Sequence, residues 1–116
     1  MTYTANLQQD TVDDLVALYH PEAVFIHPWR TVRGRDAISR QWRLCLKYNK
    51  NTRIVFNDHL NNILYWTHYF DVDGETKFIR GDSVLEYDNE YILKQIDRFD
   101  TNEMYRLYGY TTNRIY

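Results

Sequence analysis

Apolar residues recur at helical spacing in the first third of the chain and in long alternating runs after it. Val12, Leu15, Val16 and Tyr19 share one side of a helix, so the spacing predicts a helix over Thr11 to Tyr19. Thr11 followed by Asp14 is a capping-box-like start, and Pro21 marks the end. Ala23 to His27 reads as a short β-rich run closed by Pro28. Beyond Gly34, the residues Ile38, Trp42, Cys45 and Leu46 gather on one side and predict a second helix from about Asp36 to Tyr48. Asn49-Lys50-Asn51 breaks it.

The second half is strand-like. Thr52 to Leu60, Ile63 to Val72, Glu75 to Tyr87 and Tyr91 to Asp100 are rich in Ile, Val, Phe, Tyr and Trp. Asn61-Asn62, Asp73-Gly74 and Asp88-Asn89 separate them, and such residues tolerate the positive φ of hairpin turns. A short helix at Asn102 to Leu107 is predicted to end at Gly109. Helices first and a long antiparallel meander second imply an α+β fold with helices packed on one face of the sheet. Strands this long twist and coil, so the sheet is expected to form a cone around an interior.

Alternation assigns faces. In the third strand, Leu64, Trp66, His68 and Phe70 oppose Ile63, Tyr65, Thr67 and Tyr69. Both sets are aromatic, so parity alone leaves the inward one open. In the next strand Ile79, Gly81, Ser83, Leu85 and Tyr87 are nearly free of charge and make the better inward face. In the last, Tyr91, Leu93, Gln95, Asp97 and Phe99 are expected inside, leaving Lys94 and Arg98 in water.

Composition narrows the partners. The chain of 116 residues is expected to form a single domain, 1–116. Its formal net charge of −2 and lack of a basic run disfavour a nucleic-acid groove. Apolar stretches fall far short of the roughly 20 residues that span a bilayer. MTYTANLQQD lacks the charged and apolar regions of a signal peptide, so the cytoplasm is the default compartment. One cysteine, Cys45, allows no internal disulfide and reads as a small buried hydrophobe. Eleven Tyr, five Phe and three Trp suggest large side chains lining a sheet, a concave site, or both. His20, His27, His59 and His68 show no metal-ligand spacing, and no glycine-rich phosphate loop exists, so neither a metal nor a nucleotide cofactor is expected.

Leu15-Val16-Ala17-Leu18-Tyr19-His20-Pro21-Glu22-Ala23, followed by His27-Pro28 and Gly34-Arg35-Asp36-Ala37-Ile38, resembles the SnoaL-like branch of the nuclear transport factor 2-like superfamily. Arg80 to Asp88 and Ile92 to Asp100 are similar to later strands of that family, so the resemblance covers roughly Asp10 to Leu107. It implies a cone-shaped curved sheet, antiparallel with mixed pairing, wrapped around helices. The family usually opens with a full helix before Thr11, and this chain leaves little room for one. A shortened N-terminal helical region and a more open mouth, or cover from a partner subunit, are then expected. The fold hosts isomerases, cyclases, dehydratases, hydrolases and binding proteins, so fold alone does not name a reaction.

The resemblance also implies site residues. His27 precedes Pro28 where ketosteroid isomerases of the superfamily carry an aspartate general base, which implies that it points into the cone. Imidazole exchanges protons near neutral pH; the other role open to it is a structural bond to a backbone carbonyl. Asp97 matches the last-strand region where SnoaL-like cyclases carry a functional acid, so the two are candidates for a catalytic dyad. An ion pair of Asp97 with a nearby Arg or Lys is the alternative. His68 is open to a role in orienting substrate or in packing the core, while Trp29, Trp66, Ser83, Gln95 and Phe99 complete the expected substrate-binding set. Tyr3 and Ser83 fall where the isomerases hold their oxyanion tyrosine and aspartic acid, so that two-donor hole is not reproduced. The implied function is a cofactor-independent acid–base isomerase, cyclase or dehydratase acting on a small apolar oxygenated molecule. The alternative is a non-catalytic ligand-binding or dimerisation module, with a homodimer through the sheet face of Tyr65, Thr67, Tyr69 and Arg80 expected in either case.

Overall fold

The computed structural model describes residues 3–6, 8–48, 50–72 and 74–108. Seven strands form one sheet: β1 (Tyr3–Asn6), β2 (Tyr19–His27), β3 (Arg30–Arg33), β4 (Lys50–Leu60), β5 (Ile63–Val72), β6 (Glu75–Asp88) and β7 (Tyr91–Phe99). Their spatial order is β1-β4-β5-β6-β7-β2-β3, with every pairing antiparallel except β2 against β7. The fold is α+β, and the sheet stays open, edged by β1 and β3. Among the described residues the helices are α1 (Val12–Val16), α2 (Arg35–Tyr48) and α3 (Thr101–Tyr108).

The meander follows from its turns. Asn61, Asn62, Gly74 and Asn89 have φ of 53°, 63°, 80° and 57°, the left-handed region that Asn and Gly enter most readily. These residues close the three hairpins at the expected places.

The start of the chain differs from expectation. Residues Tyr3–Asn6 form a strand along β4, with Tyr3 opposite Phe56, ahead of the short helical region. The predicted helix is also shorter, ending at Val16, and Tyr19 opens a strand. Val12 and Val16 bury the helical stripe, while the Leu18 carbonyl accepts the Ile92 N–H at 2.9 Å and commits Tyr19 to the sheet. The Thr11 hydroxyl does not cap this helix. It bonds the carbonyl of Gln8 at 2.9 Å within a 3₁₀ turn, Gln9–Thr11. Asp100, expected in the last strand, lies beyond it and caps α3 by accepting the N–H groups of Asn102 and Glu103 at 2.9 and 3.3 Å.

Helix α2 buries Ile38, Gln41 and Cys45, one turn apart, against α1, β2 and β3. Two apolar clusters result. Tyr19, Ala23, Phe25 and Ile38 form one with Trp42 and Ile92; Cys45, Trp66, Phe70, Ile79 and Met104 form the other. Both clusters contribute walls to the same hollow, so the helices cover the sheet without filling the space over it.

Candidate active site

The hollow is a cavity of about 360 Å³. Tyr19, Trp42, Phe56 and Trp66 form aromatic walls, and His68, Ser83, Gln95 and Asp97 bring its polar groups. Leu18 and Tyr87 line it while 54% and 44% exposed, which puts the mouth beside them.

Strand register explains the polar groups. Leu64 stands opposite Ser83 and Ser83 opposite Asp97, so these three form one row across the sheet. In the neighbouring row Trp66 faces Gly81. Gly81 has no side chain, and the indole ring lies over it: a Cβ there would come within 2.6 Å of Trp66 Cη2. This close approach is the one place in the sheet where glycine is required for space rather than for φ.

So placed, Trp66 donates Nε1–H to Ser83 Oγ at 2.9 Å. Ser83 donates its hydroxyl to Asp97 Oδ1 at 2.5 Å, and Gln95 Nε2 donates to the same oxygen at 2.8 Å. The Tyr19 hydroxyl donates to Gln95 Oε1 at 2.6 Å. All of these side chains are buried, so the bonds form in a low-dielectric setting that strengthens them.

Burial pushes the Asp97 carboxyl up to about 6, against the opposing pull of the Gln95 and Ser83 hydrogen bonds. Its hydrogen-bond partners are neutral. The ion pair on this part of the sheet belongs instead to Asp82 and Arg98, at 2.5 Å. Burial, then the Asp97 charge, raises the Tyr19 phenol far above its ordinary value and keeps it a donor. Burial alone lowers His68 to about 4, leaving a neutral imidazole at pH 7.

Of the residues expected here, Trp66, His68, Ser83, Gln95 and Asp97 line the cavity. His27, Trp29 and Phe99 are not among its lining residues. The Trp29 and Phe99 rings meet at 5.3 Å, and Phe99 backs Trp66 at 6.4 Å, so they support the wall from behind. The pairs Phe25–Gln95 and Ile26–Ile96 carry His27 alongside Asp97 on the same face of the sheet. Its ring packs between Phe25 and Trp29, at 5.9 and 6.4 Å. His27 Nδ1 accepts the Trp29 N–H at 3.3 Å, the reverse of the carbonyl bond considered from sequence. Burial and then Arg30 lower it to about 4.

On β7, Ile92 lines the cavity where parity expected Tyr91 and Leu93. Glu86 pairs with Lys94 but Tyr87 with Ile92, so Leu93 is bulged and the alternation reverses behind it. Sequence reasoning also missed Tyr19 and Trp42 as walls. Among the described residues, no group of three or more His, Cys, Asp or Glu side chains is placed to hold a metal ion.

Known structures share this architecture. An NTF2-like protein of unknown function from Burkholderia pseudomallei is 19% identical, with 87% of each chain covered and a TM-score of 0.77. TerC, co-crystallised with polyporic acid, is 15% identical over 83% of this chain and 84% of its own, at a TM-score of 0.73. A protein with a ketosteroid isomerase-like fold from Catenulispora acidiphila, in complex with trimethylamine, is 13% identical, covering 78% and 75%, at 0.65. At such identities the likeness is one of fold. Among curated proteins none matches this chain's sequence. The SnoaL-like domain matches residues 2–95, ending two residues before Asp97. With most of its length matched and the same curved sheet around its hollow, the chain belongs to the SnoaL-like domain family of the NTF2-like fold.

Proposed function

We propose that the chain is a cofactor-independent acid–base enzyme acting on a small, apolar, oxygenated substrate held in the aromatic cavity. One observation carries the reading: the Asp97 carboxyl lines that cavity with its pKa raised to about 6 and one oxygen, Oδ1, held by two neutral donors. A carboxylate tuned toward neutrality is a competent base for a proton next to a carbonyl. Asp97 takes the proton and returns it, Ser83 and Gln95 hold it in place, and the aromatic walls exclude water. His27, buried and neutral one strand away, positions the β2 wall. Isomerisation, cyclisation and dehydration all use such a step, and a structural neighbour crystallised with polyporic acid supports a ligand of aromatic, oxygenated character.

The test is α-proton exchange of a panel of aryl ketones in D₂O. Exchange is expected to rise as pH passes through about 6 and then level off, because only the ionised carboxyl accepts a proton. Catalysed exchange with no inflection near that pH would remove Asp97 from the mechanism. A panel that binds without exchange would favour the ligand-binding module.

We also propose that the outer sheet face pairs with a second copy. Tyr65 and Phe78 are exposed there, Tyr69 stacks near Phe78 at 5.9 Å, and Arg53 and Arg80 lie over these rings. Thr67, expected on that surface, is buried. Sedimentation at micromolar concentration is expected to give a dimer that Phe78→Glu converts to monomer; a monomeric parent refutes the pairing.

A further inference from the structure

At pH 7 the described residues lining the cavity carry one charge, on Asp97. The Tyr19 phenol and the His68 imidazole are neutral there, and among the described residues no lysine or arginine lines the cavity. Arg98, next along β7, lies on the opposite face and pairs with Asp82. The carboxylate is 7% exposed and has no cation to balance it.

One oxygen of Asp97 remains for a ligand. Ser83 and Gln95 hold Oδ1, which leaves Oδ2. This oxygen is not sealed off as His68 Nε2 and Trp42 Nε1 are, two ring atoms with almost no accessible surface. Water in the cavity can hydrogen-bond Oδ2 but cannot neutralise it. A ligand hydroxyl has the same shortcoming, and a buried charge without a counter-charge is the costly case.

The walls select the kind of cation. Trp66 is bonded to Ser83 and Tyr19 to Gln95, so each ring stands one polar side chain away from the carboxylate. Aromatic faces attract an organic cation. A metal ion would need further ligands, and no such group exists among the described residues.

We infer that the substrate is an aromatic amine, its ammonium group seated against Asp97 Oδ2 beside the Tyr19 and Trp66 rings. The inference rests on the reading of this cavity as the substrate site and of Asp97 as its base. The charges then balance through the reaction. Abstraction at a carbon between the ammonium and a carbonyl moves the proton from carbon to Oδ2 and leaves the C–H electron pair in an enolate. The negative charge passes from Asp97 to the substrate, and the ammonium offsets it in both places.

Calorimetric titration near pH 8 with 2-phenylethylamine and 2-phenylethanol tests this, because the two probes are alike in shape and differ in charge. The amine is expected to bind the parent protein roughly tenfold more tightly, the gain from an ion pair and ring contacts less the desolvation of the ammonium. Asp97→Asn keeps the shape of the side chain and removes its charge. It is expected to abolish the preference and still bind the alcohol. Equal affinities in the parent, or a preference that survives in Asp97→Asn, overturn the amine and leave the cavity reading standing. Failure of both probes to bind overturns the two together. If Asp97→Asn does not fold, the carboxyl ¹³C resonance of Asp97 in the parent reads the same contact. It must move further with the amine than with the alcohol, and equal movement overturns the inference.

Discussion

Asp97→Asn is expected to reduce turnover by roughly 10²–10⁴-fold, the usual contribution of one positioned acid–base group, and at the same time to make the protein more stable above pH 6. Asparagine keeps the shape of the side chain, and its carbonyl still accepts from Ser83 and Gln95, but it cannot take a proton. The stability change has a definite sign. The carboxyl titrates near 6 in the folded protein, against an ordinary 3.8. Below the lower value both folded and unfolded chains are protonated and burial of the group is tolerated. Between the two values the folded state holds the extra proton, so stability falls as pH rises. Above about 6 the full penalty of a buried charge remains, on the order of 2–3 kcal/mol. Asparagine never carries it. Thermal melts of the two proteins should therefore diverge between pH 4 and 6 and stay apart above. A variant that is inactive and also less stable at pH 8 would mark Asp97 as a structural carboxylate.

Gly81→Ala should be the most damaging single-methyl addition in the sheet. The new Cβ would lie 2.5 Å from the Arg98 carbonyl oxygen and 2.6 and 2.7 Å from two atoms of the Trp66 ring. The carbonyl belongs to the β6–β7 ladder, and Trp66 is 6% exposed in a packed cluster, so neither has room to give. Overpacking of this kind costs about 3 kcal/mol, a fall in Tm on the order of 10 °C for a domain this small. The damage is not confined to stability. Pushing the indole aside breaks its bond to Ser83, and Ser83 is one of the two donors that hold Asp97. Catalysed exchange should fall even at temperatures where the variant is fully folded. Unchanged melting would mean that β6 and β7 move apart freely, contrary to the packing described.

Much of this site was legible because a strand's period of two is rigid. Ser83 and Asp97 were each read onto the less charged face of their own strands, and both line the cavity, whereas parity left Trp66 and His68 open until their pairing with β6 set them on the same face. Parity failed at Leu93 because a bulge leaves no local mark in an apolar run. Tyr19 was misread because 12, 15, 16 and 19 satisfy a helix as well as a helix followed by a strand. What decides is the backbone bond from Ile92 to Leu18, made by a segment distant in sequence. His27 was expected to point into the cone; it shares the sheet face of Asp97 but is not among the residues that line the hollow. Whether a side chain on that face reaches the hollow depends on what packs over it, and Trp29 and Phe99 are brought together only by the tertiary fold.

One of the two strands that escaped sequence reading, β3, also guards the fold. An unclosed sheet leaves backbone donors and acceptors unmatched along its borders, an invitation to strand addition and aggregation. At one border the chain sets β3, only four residues long, with an exposed arginine at each end. Its brevity and charge hid it from a search for hydrophobic alternation, and the same two properties make it a poor template for an incoming chain.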